Sequence, residues 1–191
     1  RSLSVLLAQP VRRSEALLGM YLGVAAALAA ALLIGLGGAG LLIAYQTGTS
    51  AVGADLTLIG TSPAGLLSFL ALAFLIGVVL LDRLKSMAVA LLVWFATVIA
   101  YDLVLIGLSA VLRGLPLKSI LIPAILTNPV DIARVLVTLG SGRGALFGPA
   151  GASLVDVFGN AGGAALAVGA LLVQVALPLM VAVRVFGKRD L

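Results

Sequence analysis

The 191 residues contain no cysteine and no histidine. That absence excludes disulfide frameworks, zinc ribbons, cysteine nucleophiles and histidine-bearing triads. Charge is scarce as well. Asp, Glu, Lys and Arg make up 10% of the chain, against about 25% in a typical soluble domain. Acidic residues are the rarest, seven against twelve basic ones, for a formal charge of +5. This excess does not mark a nucleic-acid binder, because no basic run and no RNA- or DNA-reading motif accompanies it. There is no GxxxxGK[ST] phosphate loop: the glycine-rich Gly140-Ser141-Gly142-Arg143-Gly144 lacks the lysine. If ATP is used, another chain hydrolyses it. No signal-peptide pattern opens the chain at Arg1. No internal repeat with a period of about 20–50 residues supports an inverted-repeat transporter.

What is present is apolar surface. Hydrophobic residues make up 62% of the chain, where a soluble domain has about 45–50%. Such a composition cannot cover a water-facing surface, and it is far too hydrophobic for disorder. The expected class is therefore an all-α, polytopic transmembrane bundle, with the lipid bilayer as its solvent.

A bilayer core of about 30 Å needs about 20 apolar residues in a helix. Four stretches meet this: 16–45, 63–81, 86–112 and 160–183. The first is long enough to tilt, or to kink at its Gly35–Gly40 cluster. In the second, Ser62 reads as an N-cap and Pro63 as the first helical residue. A fifth apolar stretch, 115–139, is interrupted by Pro116, Pro123 and Pro129 and charged by Lys118, Asp131 and Arg134. Asn128-Pro129-Val130-Asp131 reads as a helix start: cap, first-turn proline, and an acid where the helix dipole favours one. A helix from Pro129 to Leu139 would be about 16 Å long, too short to cross. The stretch 115–139 is expected to form two short re-entrant helices, covered by protein or facing a cavity.

Four spans put Arg1, Arg12, Arg13, Arg83, Lys85, Arg184, Lys188 and Arg189 on one side, against Arg113, Lys118, Arg134 and Arg143 on the other. The positive-inside rule then makes both chain ends and the Asp82–Lys85 turn cytoplasmic, with the re-entrant helices outside. Asp102 is the one carboxylate inside a span, and an intramembrane charge is a functional candidate by default. It could also be solvated near the outer interface, or paired with Arg113 or Lys118. Asp131 and Arg134 are three apart and can pair on one helix. Gly19/Gly23, extended by Ala26/Ala30, and Gly159/Gly163 have the four-residue spacing that lets membrane helices approach closely. Leu3, Leu6 and Leu7 share a helical face within residues 1–15; this stretch reads as a basic flank or as an amphipathic element pressed on a cytoplasmic partner.

The run Leu6-Leu7-Ala8-Gln9-Pro10-Val11-Arg12-Arg13-Ser14-Glu15-Ala16-Leu17-Leu18-Gly19 resembles the cytoplasmic segment before the third span of ABC-2 type permeases. Leu92-Val93-Trp94-Phe95, Tyr101-Asp102-Leu103 and Asn128-Pro129-Val130-Asp131-Ile132-Ala133-Arg134 are similar to the NosY-type branch, which serves nitrous oxide reductase maturation. The resemblance covers essentially all of the chain and implies the C-terminal two-thirds of a permease, preceded by two further spans. It implies a homodimer of six-span subunits in the bacterial inner membrane, a NosF-like cytoplasmic ABC ATPase and a NosD-like periplasmic copper-handling partner. It implies coupling to the ATPase through Leu6, Leu7, Pro10, Arg12, Arg13 and Glu15. It also implies an outer gate or substrate path at Tyr101, Asp102, Asn128, Asp131 and Arg134. No catalytic, cofactor or metal residue is expected, and the chain reads as a transport subunit, not an enzyme. Copper wants soft or imidazole ligands. The chain offers three methionines, of which Met20 and Met180 lie in spans, so copper is not expected to pass through its interior. The alternatives are a permease of the same superfamily exporting a drug, lipid or polysaccharide, and a non-transporting membrane scaffold.

Overall fold

The computed structural model describes residues 13–48, 52–111, 117–140, 159 and 161–188. The first helix, α1 (Arg13–Thr47), passes through the Gly35–Gly40 cluster unbroken. At 1.5 Å per residue it is about 52 Å long, so it must tilt or protrude from a bilayer core of about 30 Å.

Helix α2 (Val52–Leu80) begins well before the expected cap. Ser62 does not start this helix. Its hydroxyl donates to the Leu58 carbonyl at 2.6 Å, and Thr61 donates to the Thr57 carbonyl at 2.8 Å. Pro63 therefore sits inside a helix that is already running. Proline is tolerated there because, in membrane helices, serine and threonine hydroxyls help to satisfy backbone groups near the lost bond. Leu81 then takes a left-handed conformation, φ 55°, and reverses the chain. Asp82 caps the next helix: its carboxylate accepts from the Leu84 and Lys85 amides at 2.9 and 3.3 Å.

The third span is one continuous helix in three parts: α3 (Arg83–Phe95), a π-helical turn (Ala96–Ala100) and α4 (Tyr101–Val111). Neither α3 nor the π turn has a buried residue. Two short helices come after it, α5 (Leu117–Thr127) and α6 (Pro129–Gly140), then α7 (Ala161–Gly187). At about 16 and 18 Å, neither α5 nor α6 can cross a bilayer. Among the described residues, four helices are long and apolar enough to span: Ser14–Gln46, Leu56–Leu80, Arg83–Leu108 and Gly162–Gly187.

Helix α2 is central, touching α7, α1, α6 and α3. Its contacts form three stacked layers. Near the Asp82 turn, Leu17, Val78 and Ala182 meet, with Phe74 and Phe186 around them. In the middle lie Tyr21, Ala25 and Ala71; the Tyr21 ring stands edge-on to Phe74, and its hydroxyl donates to the Leu67 carbonyl at 3.1 Å. Toward the other end, Ile125, Ile132, Val135, Ala167 and Leu171 seat α5 and α6 against α2 and α7.

Lipid is as apolar as leucine, so these helices gain from close packing, and small residues permit it. The small residues in the contacts are Ala25, Ala71, Ala167 and Ala182, each at most 6% exposed. The expected Gly19/Gly23 pair is not among them: both glycines are exposed, as are Ala26 and Ala30. In the second pair, Gly163 is buried and Gly159 is not. The four-residue spacing was legible, but spacing does not say which face of α1 meets the rest of the chain.

Candidate functional site

Residues 97–102 of the third span hold the α5–α6 pair. A helix that widens from α to π spacing and returns leaves a carbonyl short of an amide partner. Inside that wide turn, the Thr97 carbonyl accepts the Asn128 side-chain amide at 2.9 Å. The Tyr101 hydroxyl donates to the Ala124 carbonyl at 2.7 Å. The Arg134 guanidinium reaches Asp102 Oδ2 at 2.9 Å. Thus Thr97, Tyr101 and Asp102 contact the end of α5, the joint and the middle of α6. Gln174 on α7 adds a fourth tie, donating to the Leu126 carbonyl at 2.8 Å.

Asn128 does two jobs. Its Oδ1 accepts from the Val130 amide at 3.0 Å, the cap expected from the Asn-Pro start, while Nδ2 goes to the span. It is 2% exposed, so both functions are performed out of water. Asp102 lies about 28 Å along its helix from Arg83 at 1.5 Å per residue. Its partner is Arg134. Arg113 lies outside the described residues, as does the side chain of Lys118. The expected Asp131–Arg134 pair forms too, at 3.2 Å.

The electrostatics are unbalanced. One guanidinium, half exposed, serves two carboxylates whose side chains are 29% (Asp102) and 7% (Asp131) exposed. Burial pushes the Asp131 carboxyl up from 3.8 to about 6, and the negative charge of Asp102 adds to the rise. The Arg134 charge and the neighbouring Asn128 amide pull the other way without cancelling it.

All five residues expected at the outer gate therefore meet in one place. Thr97 and Gln174 also belong to it. Gln174 stood out in the sequence as an amide within an apolar span; Thr97 gave no signal, because its carbonyl and not its side chain is used. Of the expected coupling residues, Leu6, Leu7, Pro10 and Arg12 lie outside the described residues. Arg13 opens α1, and Glu15 is exposed in its first turn. At the same end, an open apolar groove of about 350 Å³ is lined by Leu18, Ala176, Leu179, Met180, Val183 and Arg184. Met20 and Met180 are 40% and 52% exposed, on separate helices.

Four helices long and apolar enough to span, with two short helices tied to one of them by polar groups, define a polytopic all-α membrane protein. The family described as ABC-2 family transporter protein matches residues 1–191, and the chain belongs to it. It is similar to the probable ABC transporter permease protein NosY of Stutzerimonas stutzeri, 33% identical over 153 residues, covering 77% of this chain and 55% of that protein. It is 32% identical over 139 residues to the probable ABC transporter permease protein NosY of Pseudomonas aeruginosa, covering 71% and 50%. The chain thus spans about half the length of the curated relatives it matches.

Proposed function

We propose that the protein is the membrane-spanning permease subunit of an ABC-2 transporter in the bacterial inner membrane. It works as a homodimer with a NosF-like ATPase on the cytoplasmic side, which hydrolyses the ATP. Its task is delivery to a NosD-like, copper-handling partner in the periplasm during nitrous oxide reductase maturation. Similarity to NosY over about three quarters of the chain carries this reading.

The geometry supports a mechanism. ATPase closure pushes on the Leu6–Glu15 element, and α1 continues directly from it. The bundle core around α2 passes the motion along its three packed layers. The third span acts as a strut: it meets α2 beside the Asp82 turn and is tied at its other end to α5–α6. A displacement of the bundle relative to this strut is resolved at the Thr97–Asp102 contacts, which shift between two discrete packings. Those contacts form the outer gate.

The test is deletion of the gene in a denitrifying host. The expected result is nitrous oxide reductase made without its full copper–sulfur centre, restored by the full-length gene and not by one with an inactive ATPase partner. Fully loaded reductase in the deletion strain would remove the maturation role.

A further inference from the structure

One group at the gate is incomplete. Asp131 accepts from Arg134 through Oδ1, but its buried Oδ2 has no hydrogen-bond donor. The same Arg134 nitrogen also serves Asp102, so the three side chains together carry one excess negative charge. Among the described side chains of the packed elements no other charge faces them: α2 from Leu56 to Leu80, α5 from Ile122 onward and α7 from Gly162 to Val183 have none. The nearby Tyr101 hydroxyl is already committed to the Ala124 carbonyl.

Two ionised carboxylates can only accept hydrogen bonds. A proton would cancel the excess charge and turn a stranded acceptor into a donor, and Asp102 is the neighbouring acceptor: its Oδ2 and the Asp131 Oδ1 lie 2.9 and 3.2 Å from the same Arg134 nitrogen. A metal ion is the poorer occupant, because Arg134 already bridges the two carboxylates. We propose that Asp131 and Asp102 form a proton-binding pair, in which one proton carried by Asp131 and shared with Asp102 holds α6 to the third span and loosens that hold when it leaves. Burial and the neighbouring charge, which raise the Asp131 carboxyl to about 6, make this proton exchangeable near neutral pH. The functional consequence rests on the outer gate proposed above; the proton site itself does not.

The experiment is an infrared titration of the full-length protein in liposomes, following the carbonyl stretch of a protonated carboxyl. A band should be present at low pH and disappear with a midpoint near 6, and Asp131→Asn, which has the shape of the protonated acid, should abolish it. Asp102→Asn should lower the midpoint by about one unit, since it removes the like charge, and Arg134→Gln should raise it. A band that survives Asp131→Asn, a midpoint in the ordinary aspartate range, or a midpoint unmoved by Asp102→Asn would overturn the proposal. Failure of the gate has a different signature: nucleotide-driven activity untouched by a disulfide joining Thr97→Cys to Asn128→Cys, with the Asp131 titration unaltered in the protein that lacks these cysteines.

Discussion

The Asn128 side-chain amide, 31 residues along the chain from Thr97, donates to the Thr97 carbonyl at 2.9 Å inside the π-helical turn. The same side chain caps α6. A widened turn in a span and the start of a short helix are thereby fixed to each other by one residue. Losing a cap costs about 0.5–2 kcal/mol, and leaving the half-buried Thr97 carbonyl without its donor adds up to about 1–3 kcal/mol.

Asn128→Ala should therefore destabilise the protein by about 2–4 kcal/mol. Asn128→Ser keeps a capping oxygen and loses only the bond to Thr97, so it should cost less. Thermal unfolding in detergent reads the total. Protease cleavage within 117–140 should rise in both variants if the loss is local. Equal melting of the alanine and serine variants would mean that the cap contributes nothing.

A pH dependence of the α6 contact is expected from Asp131. Its native carboxyl is raised above the unfolded value, from 3.8 to about 6. A raised carboxyl stabilises the fold fully below the unfolded value, and this contribution is lost as pH climbs through the native one. The α6 amides should thus be better protected from hydrogen exchange at pH 5 than at pH 8, once intrinsic exchange rates are corrected. The difference between these two values should be about 1–2 kcal/mol, because part of the total of about 3 kcal/mol from about two pKa units is already lost between the unfolded value and pH 5. Asp131→Asn should flatten the dependence and leave the helix protected at both values. Greater protection at pH 8 would reverse the sign and count against burial as the cause.

The spans and the two short helices were legible from hydropathy, proline placement and the rarity of charge, and so were Asp102, Asn128, Asp131 and Arg134 as residues to watch; Tyr101 was indicated only by the family resemblance. Asp102 and Arg134 were recognised singly. Their pairing was not, because a contact between residues 32 apart has no local signal. The start of α2 was misplaced for a related reason: Ser62-Pro63 is a start signal in water, whereas in lipid the Thr61 and Ser62 hydroxyls bond backward and the helix runs on. The Asp82 cap and the π turn also went unread. The first needs the left-handed Leu81 before it, and the second uses backbone geometry that no side chain in Ala96–Ala100 announces.

Coupling can be tested at the other end. Arg12→Glu combined with Arg13→Glu reverses the charge at the start of α1. We expect the double variant to insert but to lose most of its co-purifying ATPase, and with it nucleotide-dependent activity. Insertion has to be measured separately, because cytoplasmic arginines also set topology. An inserted variant that retains full ATPase association would rule out this segment as the docking element.

Copper gives a further check. Met20 and Met180 are the methionines within spans; they stand on α1 and α7, both substantially exposed, and neither has a second soft ligand beside it in sequence. A thioether alone is a weak ligand, and soft-metal sites combine several. Met20→Leu with Met180→Leu conserves volume and should leave copper loading of the reductase at the unmodified level. Loss of loading, with normal insertion and ATPase binding, would establish a thioether path through the bundle.

The exposed side of α1 makes the last prediction. Gly19, Gly23, Ala27, Ala31, Gly35 and Ala39 recur at every fourth residue, and all six face away from the chain's own core. A Cβ at Gly23 meets nothing within 4 Å among the described residues, so a larger side chain there has open space beside the described helices. Glycine is among the poorest helix formers, which leaves packing among the described residues and helix propensity both without a reason for it. A neighbouring helix that approaches closely supplies one, since small residues at this spacing let backbones come together in lipid. Gly23→Leu should therefore leave the melting of the isolated chain within about 1 kcal/mol of the parent. In detergent and in membranes the same variant should shift the full-length protein from dimer toward monomer, as read by cross-linking or single-molecule photobleaching. A dimer indifferent to Gly23→Leu, with Gly19→Leu equally silent, would move the interface to another face of the bundle.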